Sequence, residues 1–152
     1  MTPRDRTAQG RFRILVIANE TIEGDALHDL IAAHAAGRDS DVIVVAPALN
    51  SRLRHWLSDE DGARRDADAR LARSMDRLAD AGITSYGWVG DADPLVAIDD
   101  ALAIFPADEM IISTHPERRS NWLAHDVVRR ARERFGLPTA HVVVGEVLSY
   151  AA

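Results

Sequence analysis

The sequence predicts a single-domain α/β/α sandwich, in which a five-stranded parallel sheet lies between two layers of helices. Three observations support this prediction. The length of 152 residues suits one domain. Apolar residues make up 47% of the chain and aromatic residues only 5%, which is typical of buried strands made of valine, isoleucine and leucine. Short β-branched runs alternate with longer helical patterns, which favours parallel strands joined by right-handed crossovers.

Five short apolar runs, bounded by polar residues, glycine or proline, are the predicted strands. In chain order, β1 to β5 are predicted at residues 12–18, 41–46, 83–88, 109–112 and 140–144. The third run is less apolar than the others, so we expect β3 at an edge of the sheet. The domain is predicted to span residues 11–145, between a disordered tail at 1–10 and a short tail at 146–152.

Helices α1 to α4 are predicted between the strands, each with an apolar face and a residue that can cap its first turn. Their predicted ranges are about 21–36, 58–81, 93–105 and 120–135. The caps, in the same order, are Thr21, Ser58, Asp93 followed by Pro94 at the first helical position, and Ser120 or Asn121. Glycines at 37, 82 and 136 are the predicted ends of α1, α2 and α4.

Composition argues against several classes of protein. The net charge of −6 and the pI near 5.4 are unfavourable for a nonspecific nucleic-acid binder. The absence of cysteine excludes disulfides, thiolate metal sites and cysteine nucleophiles. No apolar run approaches the roughly 18 residues of a membrane span, and the charged N-terminus lacks the apolar region of a signal peptide. We therefore expect a cytoplasmic protein without nucleic-acid or membrane partners.

The histidines do not predict a metal site. His28 and His34 lie about 240° apart around a helix, so their side chains do not point to one ion. His55 and His141 have no partner at a ligand spacing.

In layout the chain resembles the universal stress protein family. The resemblance depends on the length and element order, on Val-Gly-Asp-Ala-Asp-Pro-Leu-Val-Ala-Ile at residues 89–98, and on the strand–loop–helix–strand ending at 108–144. It covers about residues 11–145. It implies a Rossmann-like fold of the adenine nucleotide alpha hydrolase type, strand order 3-2-1-4-5, and a switch point between β1 and β4. It also implies a homodimer that pairs through β5, by Val142, Val143 and Val144.

ATP-binding members of that family carry a phosphate motif after β4: Gly, two residues, Gly, nine residues, Gly-Ser/Thr. The corresponding positions of this chain are Ser113, Pro116, Asp126 and Val127, and none of them matches. Proline removes a backbone donor, and serine adds a side chain where the backbone would approach phosphate. The resemblance therefore implies a divergent member that does not hold ATP in the family's manner.

Polar residues at the ends of β1 and β4 form the candidate site for a nucleotide or another anion. They are Asn19, Glu20, Ser113, Thr114, His115, Arg118, Ser120 and Asn121. Strand carboxyl ends and helix N-termini meet there in a parallel sheet, and free backbone N–H groups favour an anion. The arginine adds a charge-assisted donor. The alternative interpretation is a solvated loop that ends in an ordinary helix cap.

The sequence leaves three functions open. The first is a non-enzymatic, dimeric, stress-related protein that acts through protein partners or binds a small ligand at the switch point. The second is a nucleotide-binding protein that holds ATP or AMP with a remodelled β4–α4 loop. The third is a hydrolase or nucleotidyl transferase at the same cleft, by analogy of fold alone. No set of nucleophile, base and orienting group can be named, so no catalytic residue is predicted.

Overall fold

The computed structural model describes residues 11–18, 25–47, 60–91, 93–114 and 120–143. Its strands and helices alternate as predicted. In chain order they are β1 Phe12–Ala18, α1 Asp25–Ala35, β2 Ser40–Pro47, α2 Glu60–Asp80, β3 Ser85–Gly90, α3 Pro94–Ile104, β4 Glu109–Thr114, α4 Ser120–Phe135 and β5 Thr139–Val143. The predicted tails and the predicted caps Thr21 and Ser58 lie outside the described residues. Asp93 caps α3 as predicted, because its carboxylate accepts a hydrogen bond from the Leu95 N–H.

The five strands form one parallel sheet in the order β3-β2-β1-β4-β5. This confirms the predicted α/β fold and places β3 at an edge. From β1 the chain proceeds outward through β2 to β3, and then crosses back to the other side of β1 for β4 and β5. The switch point of the sheet therefore lies between β1 and β4, where ligands of doubly wound sheets bind.

The hydrophobic core has two layers, one on each face of the sheet. Alternate residues of β1 point to opposite faces, as strand geometry requires. Ile14, Val16 and Ala18 belong to the layer beneath α1 and α2, whereas Leu15 and Ile17 belong to the layer beneath α3 and α4. Burial on both faces explains why β1 is a continuous apolar run without a period of two.

The predicted start of β3 at Ile83 is wrong, because Ile83 belongs to the end of α2. Gly82 adopts φ +79° and terminates the helix. The Ile83 N–H then donates to the Leu78 carbonyl at 2.8 Å, and the Gly82 N–H donates to Ala79 at 2.9 Å. These two bonds and the burial of Ile83 beside Leu78 form a Schellman motif. Strand β3 consequently begins two residues later, at Ser85.

Polar contacts connect α1 to its neighbours. His28 of α1 and Ser74 of α2 are both buried, and the His28 Nε2 lies 2.9 Å from the Ser74 Oγ. Near the other end of α1, the His34 Nδ1 contacts the carboxylate of Glu109 at the start of β4. These contacts fix α1 over the sheet, and the second lies at the strands' amino ends, away from the switch point.

Candidate functional site

The described part of the candidate site is the carboxyl end of β4. This strand continues two residues beyond the predicted end, so Ser113 and Thr114 are strand residues and were wrongly predicted to lie in a loop. Ser113 pairs with Ala18 of β1 on one side and with Val142 of β5 on the other. The β4 end is therefore in register with the last residue of β1, directly at the switch point.

Ser113 is a buried polar side chain without a hydrogen-bond partner among the described residues. Its exposure is 0%, and its Oγ has no hydrogen-bond partner among the described residues. Its side chain points to the α1/α2 face, the face to which Ile111 two residues earlier contributes. A buried hydroxyl left unpaired costs about 1–3 kcal/mol, and native proteins seldom retain one without a reason. Among the described residues at the switch point, Ser113 is thus the buried hydroxyl whose hydrogen-bonding capacity is unused.

Thr114 points to the opposite face and already has a partner. Its side chain is buried, and its Oγ1 lies 2.7 Å from the Nε2 of His141 on β5. The tautomer of His141 decides which of the two atoms donates. A hydroxyl beside an imidazole is also the arrangement of a nucleophile and its base. Here burial of the hydroxyl and the link between adjacent strands indicate a structural role.

Sequence reasoning missed the partnership between Thr114 and His141. The two residues are 27 positions apart, and no local spacing relates them. Their proximity follows from the β4–β5 register, in which Ile112 lies beside His141 and Thr114 beside Val143. Once that register was known, the shared face of Thr114 and His141 could have been read from strand alternation.

Replacement of Thr114 by valine is expected to lower the free energy of unfolding by about 0.5–1.5 kcal/mol, because valine keeps the shape but removes the hydrogen bond. Chemical denaturation of the single variants Thr114→Val and His141→Gln and of the double variant isolates the pair. A coupling energy near zero would contradict the structural role of this bond.

The remaining candidate residues are described in part or not at all. Asn19, Glu20, His115 and Arg118 lie outside the described residues. Helix α4 begins at Ser120, which confirms the predicted start near Ser120 or Asn121, but the side chains of both lie outside the description. The structure thus brings Ser113 and Thr114 to the switch point and leaves the loop part of the candidate site untested.

Of the four positions aligned with the phosphate motif, two more are described on α4. Asp126 accepts a hydrogen bond from Arg129 at 2.6 Å and forms an ion pair with Arg130 at 3.2 Å. The hydrogen bond to Asp126 raises the pKa of Arg129 above its ordinary value. The Asp126 carboxylate is thus occupied by two guanidinium groups on its own helix, as is common for such spacings. Val127 is half-buried, and Pro116 lies outside the described residues.

The sequence matches no model of a known protein family, and a comparison with curated proteins found no match.

A shallow depression between α3 and α4 offers no comparable polar group. It is lined by Leu95, Arg130, Glu133 and Arg134. Arg134 lies 3.3 Å from Asp99 and Arg130 lies 3.2 Å from Asp126, so both guanidinium groups have carboxylate partners. Within the described ranges, no three histidine, aspartate or glutamate side chains are placed to hold a metal ion. None of the described helices is long and apolar enough to cross a membrane.

Proposed function

We propose that this protein is a non-enzymatic, universal-stress-protein-like protein that binds a small polar ligand at the switch point between β1 and β4. The observation that carries the proposal is the Ser113 hydroxyl, which is buried there without a partner among the described residues. A cytoplasmic, stress-related role belongs to the proposal through the family resemblance. That resemblance is supported by the strand order and by the Asp93-Pro94 start of α3.

The surroundings of Ser113 favour a neutral polar group over a phosphate. Its neighbours in register, Ala18 and Val142, are apolar. Ala18 belongs to the core layer beneath α1 and α2, and Val142 packs against that layer. A serine hydroxyl donates one hydrogen bond and accepts others, which suits a sugar hydroxyl or the edge of a base. A nucleoside presents both a sugar hydroxyl and the edge of a base. We therefore expect the nucleoside part of a ligand, and not its phosphate, to contact Ser113.

A nucleotide-binding protein with a remodelled loop is the second candidate. Helix α4 begins at Ser120, six residues after the end of β4 at Thr114, so its N-terminus follows the switch point directly along the chain. Backbone N–H groups at a helix N-terminus favour phosphate. Arg118 and Asn19 would then supply side-chain contacts. This candidate differs from the first in requiring the phosphate.

Thermal unfolding in the presence of adenosine, AMP, ATP or inorganic phosphate tests both candidates. A ligand that binds the folded protein stabilises it by mass action, by about 2.7 kcal/mol at a concentration of 100 Kd. The first candidate predicts that adenosine and AMP raise the Tm by similar amounts. The second predicts that AMP and ATP do so, that adenosine does not, and that Arg118→Ala and Asn19→Ala remove the effect.

No rise of Tm with any of these compounds would contradict both nucleotide-directed candidates. Release of product from ATP, impaired in Thr114→Ala and His115→Ala, would contradict the non-enzymatic assignment and favour a hydrolase or nucleotidyl transferase.

The homodimer implied by the resemblance pairs through β5. Val142 and Val143 are half-buried on this edge strand, and Val144 lies outside the described residues. On this interpretation Val143→Glu gives monomers. The β5 edge is one of two candidate dimer interfaces, because the sheet has a second edge at β3.

A further inference from the structure

Strand β3, Ser85–Gly90, is an edge strand of the described sheet. Its sequence, Ser-Tyr-Gly-Trp-Val-Gly, contains no charged residue and no proline. Proteins usually protect an exposed edge with such residues or cover it. Tyr86 is 57% exposed, and the other residues of the strand are partly exposed. In the described ranges, no strand lies beyond β3 in the sheet.

The hydrogen bonds to β2 determine which backbone groups of β3 are available. The Val42 N–H donates to the Thr84 carbonyl at 3.3 Å, so Thr84 faces β2. In a parallel pair the backbone groups of alternate residues face the same neighbour. Those of Tyr86 and Trp88 therefore face β2, and those of Ser85, Gly87 and Val89 face outward. Within the described part of the chain, no other strand pairs with these outward groups.

We propose that a second copy of this chain pairs with β3 through its own β3, antiparallel, about a two-fold axis at Gly87. In this register Ser85 lies opposite the partner's Val89, and Gly87 opposite the partner's Gly87. Every outward-facing residue of the strand thus forms a hydrogen-bonded pair. An axis at Tyr86 or at Trp88 would leave one of them unpaired, so Gly87 is the favoured centre.

The same register makes the side chains self-complementary. Tyr86 lies opposite the partner's Trp88, and Trp88 opposite the partner's Tyr86. These are non-hydrogen-bonded pairs, in which side chains approach most closely, and aromatic cross-strand pairs are stabilising. Both aromatic residues lie on the sheet face beneath α3, where Trp88 packs against the core layer and Tyr86 extends beyond it. In a two-fold symmetric dimer the same surface of each subunit forms the interface, and the β3 edge is complementary to a second copy of itself.

The absence of charged residues from β3 lowers the electrostatic cost of pairing two copies at this edge. The chain carries a net charge of −6, so two copies repel one another over most of their surfaces. The uncharged β3 edge allows contact without placing like charges opposite each other. Pairing at both β3 and β5 would extend the sheet without closing it, so a closed dimer uses one edge. The complementary register favours β3 over β5.

Sedimentation velocity over a concentration series tests the β3 dimer. Wild-type protein is expected to shift from monomer to dimer as its concentration rises. Tyr86→Glu places a charge opposite the partner's Trp88 and is expected to raise the dimer Kd at least tenfold, which corresponds to about 1.4 kcal/mol. Ile104→Glu is the matched control, because Ile104 is a 76% exposed apolar residue at the end of α3. It should dimerise like the wild type.

Ser85→Pro provides a second variant that acts on the backbone alone. Its N–H faces outward, and proline is tolerated at the first position of an edge strand, so pairing with β2 is expected to persist while dimerisation weakens. Wild-type protein that stays monomeric throughout would overturn the proposal. So would Tyr86→Glu and Ser85→Pro proteins that dimerise like Ile104→Glu, or monomers produced by Val143→Glu but by neither β3 variant, which would assign the interface to β5.

Discussion

Replacement of Ile111 by alanine is expected to lower the free energy of unfolding by about 2–5 kcal/mol, because it removes three buried carbon atoms and leaves a cavity. Ile111 is 0% exposed in β4. It pairs with Val16 of β1 and with Ala140 of β5, at the strand that joins the two halves of the sheet. The cavity would open beneath α1, in the core layer that also holds Val16. Urea denaturation followed by circular dichroism measures the effect.

Ile104→Ala makes the same chemical change at an exposed position and is the matched control. Ile104 is 76% exposed at the end of α3, so its truncation is expected to change stability by no more than about 0.5 kcal/mol. Similar losses in the two variants would contradict the assignment of β4 to the centre of the core.

Replacement of Ser113 by alanine is expected to abolish ligand-dependent stabilisation without weakening the ligand-free protein. Alanine removes the buried hydroxyl that has no partner among the described residues, and with it a cost of about 1–3 kcal/mol. The ligand-free variant should therefore be as stable as the wild type or more stable. With adenosine or AMP present, the wild type should gain stability and the variant should not. Paired denaturation curves with and without the ligand separate the two effects.

Ser40→Ala is the control for this prediction. Ser40 is also buried in a strand, but it lies at the amino end of β2 and its hydroxyl donates to the Arg38 carbonyl at 3.3 Å. This variant is expected to lose a little stability and to keep the full response to ligand. A Ser113→Ala protein that is clearly less stable than the wild type without ligand would mean that the Ser113 hydroxyl has a structural partner.

The alternation of strands and helices could be predicted because buried strands require runs of apolar residues, which are visible in the sequence. β1 and β2 are buried on both faces, so their apolar runs are continuous, and Asp93-Pro94 indicates the start of α3 by local chemistry alone. Ile83 was assigned to β3 because an apolar residue after glycine has the same appearance at a strand start and in a helix cap. Only the hydrogen bond to Leu78 distinguishes the two.

The chemistry of the site could be predicted less well because it depends on register. Ser113 and Thr114 are polar and follow an apolar run, so they were expected in a loop, yet pairing with β1 and β5 continues through both. Ser113 has no hydrogen-bond partner among the described residues, whereas Thr114 is hydrogen-bonded to His141. This difference follows from strand alternation and from the position of β5. Likewise, the proposed pairing of Tyr86 with the Trp88 of a second copy depends on two facts that the sequence does not give. Strand β3 is an edge strand, and the backbone N–H and C=O groups of Ser85, Gly87 and Val89 face away from β2.

Native mass spectrometry of the freshly purified wild-type protein and of Ser113→Ala, each with and without added AMP, tests the switch-point ligand site most directly. We predict that the wild type carries a small-molecule adduct, co-purified or formed with AMP, and that the adduct is absent or strongly reduced in Ser113→Ala. Adducts of equal abundance in the two proteins, or a wild type that carries none even with AMP, would contradict a ligand site at Ser113.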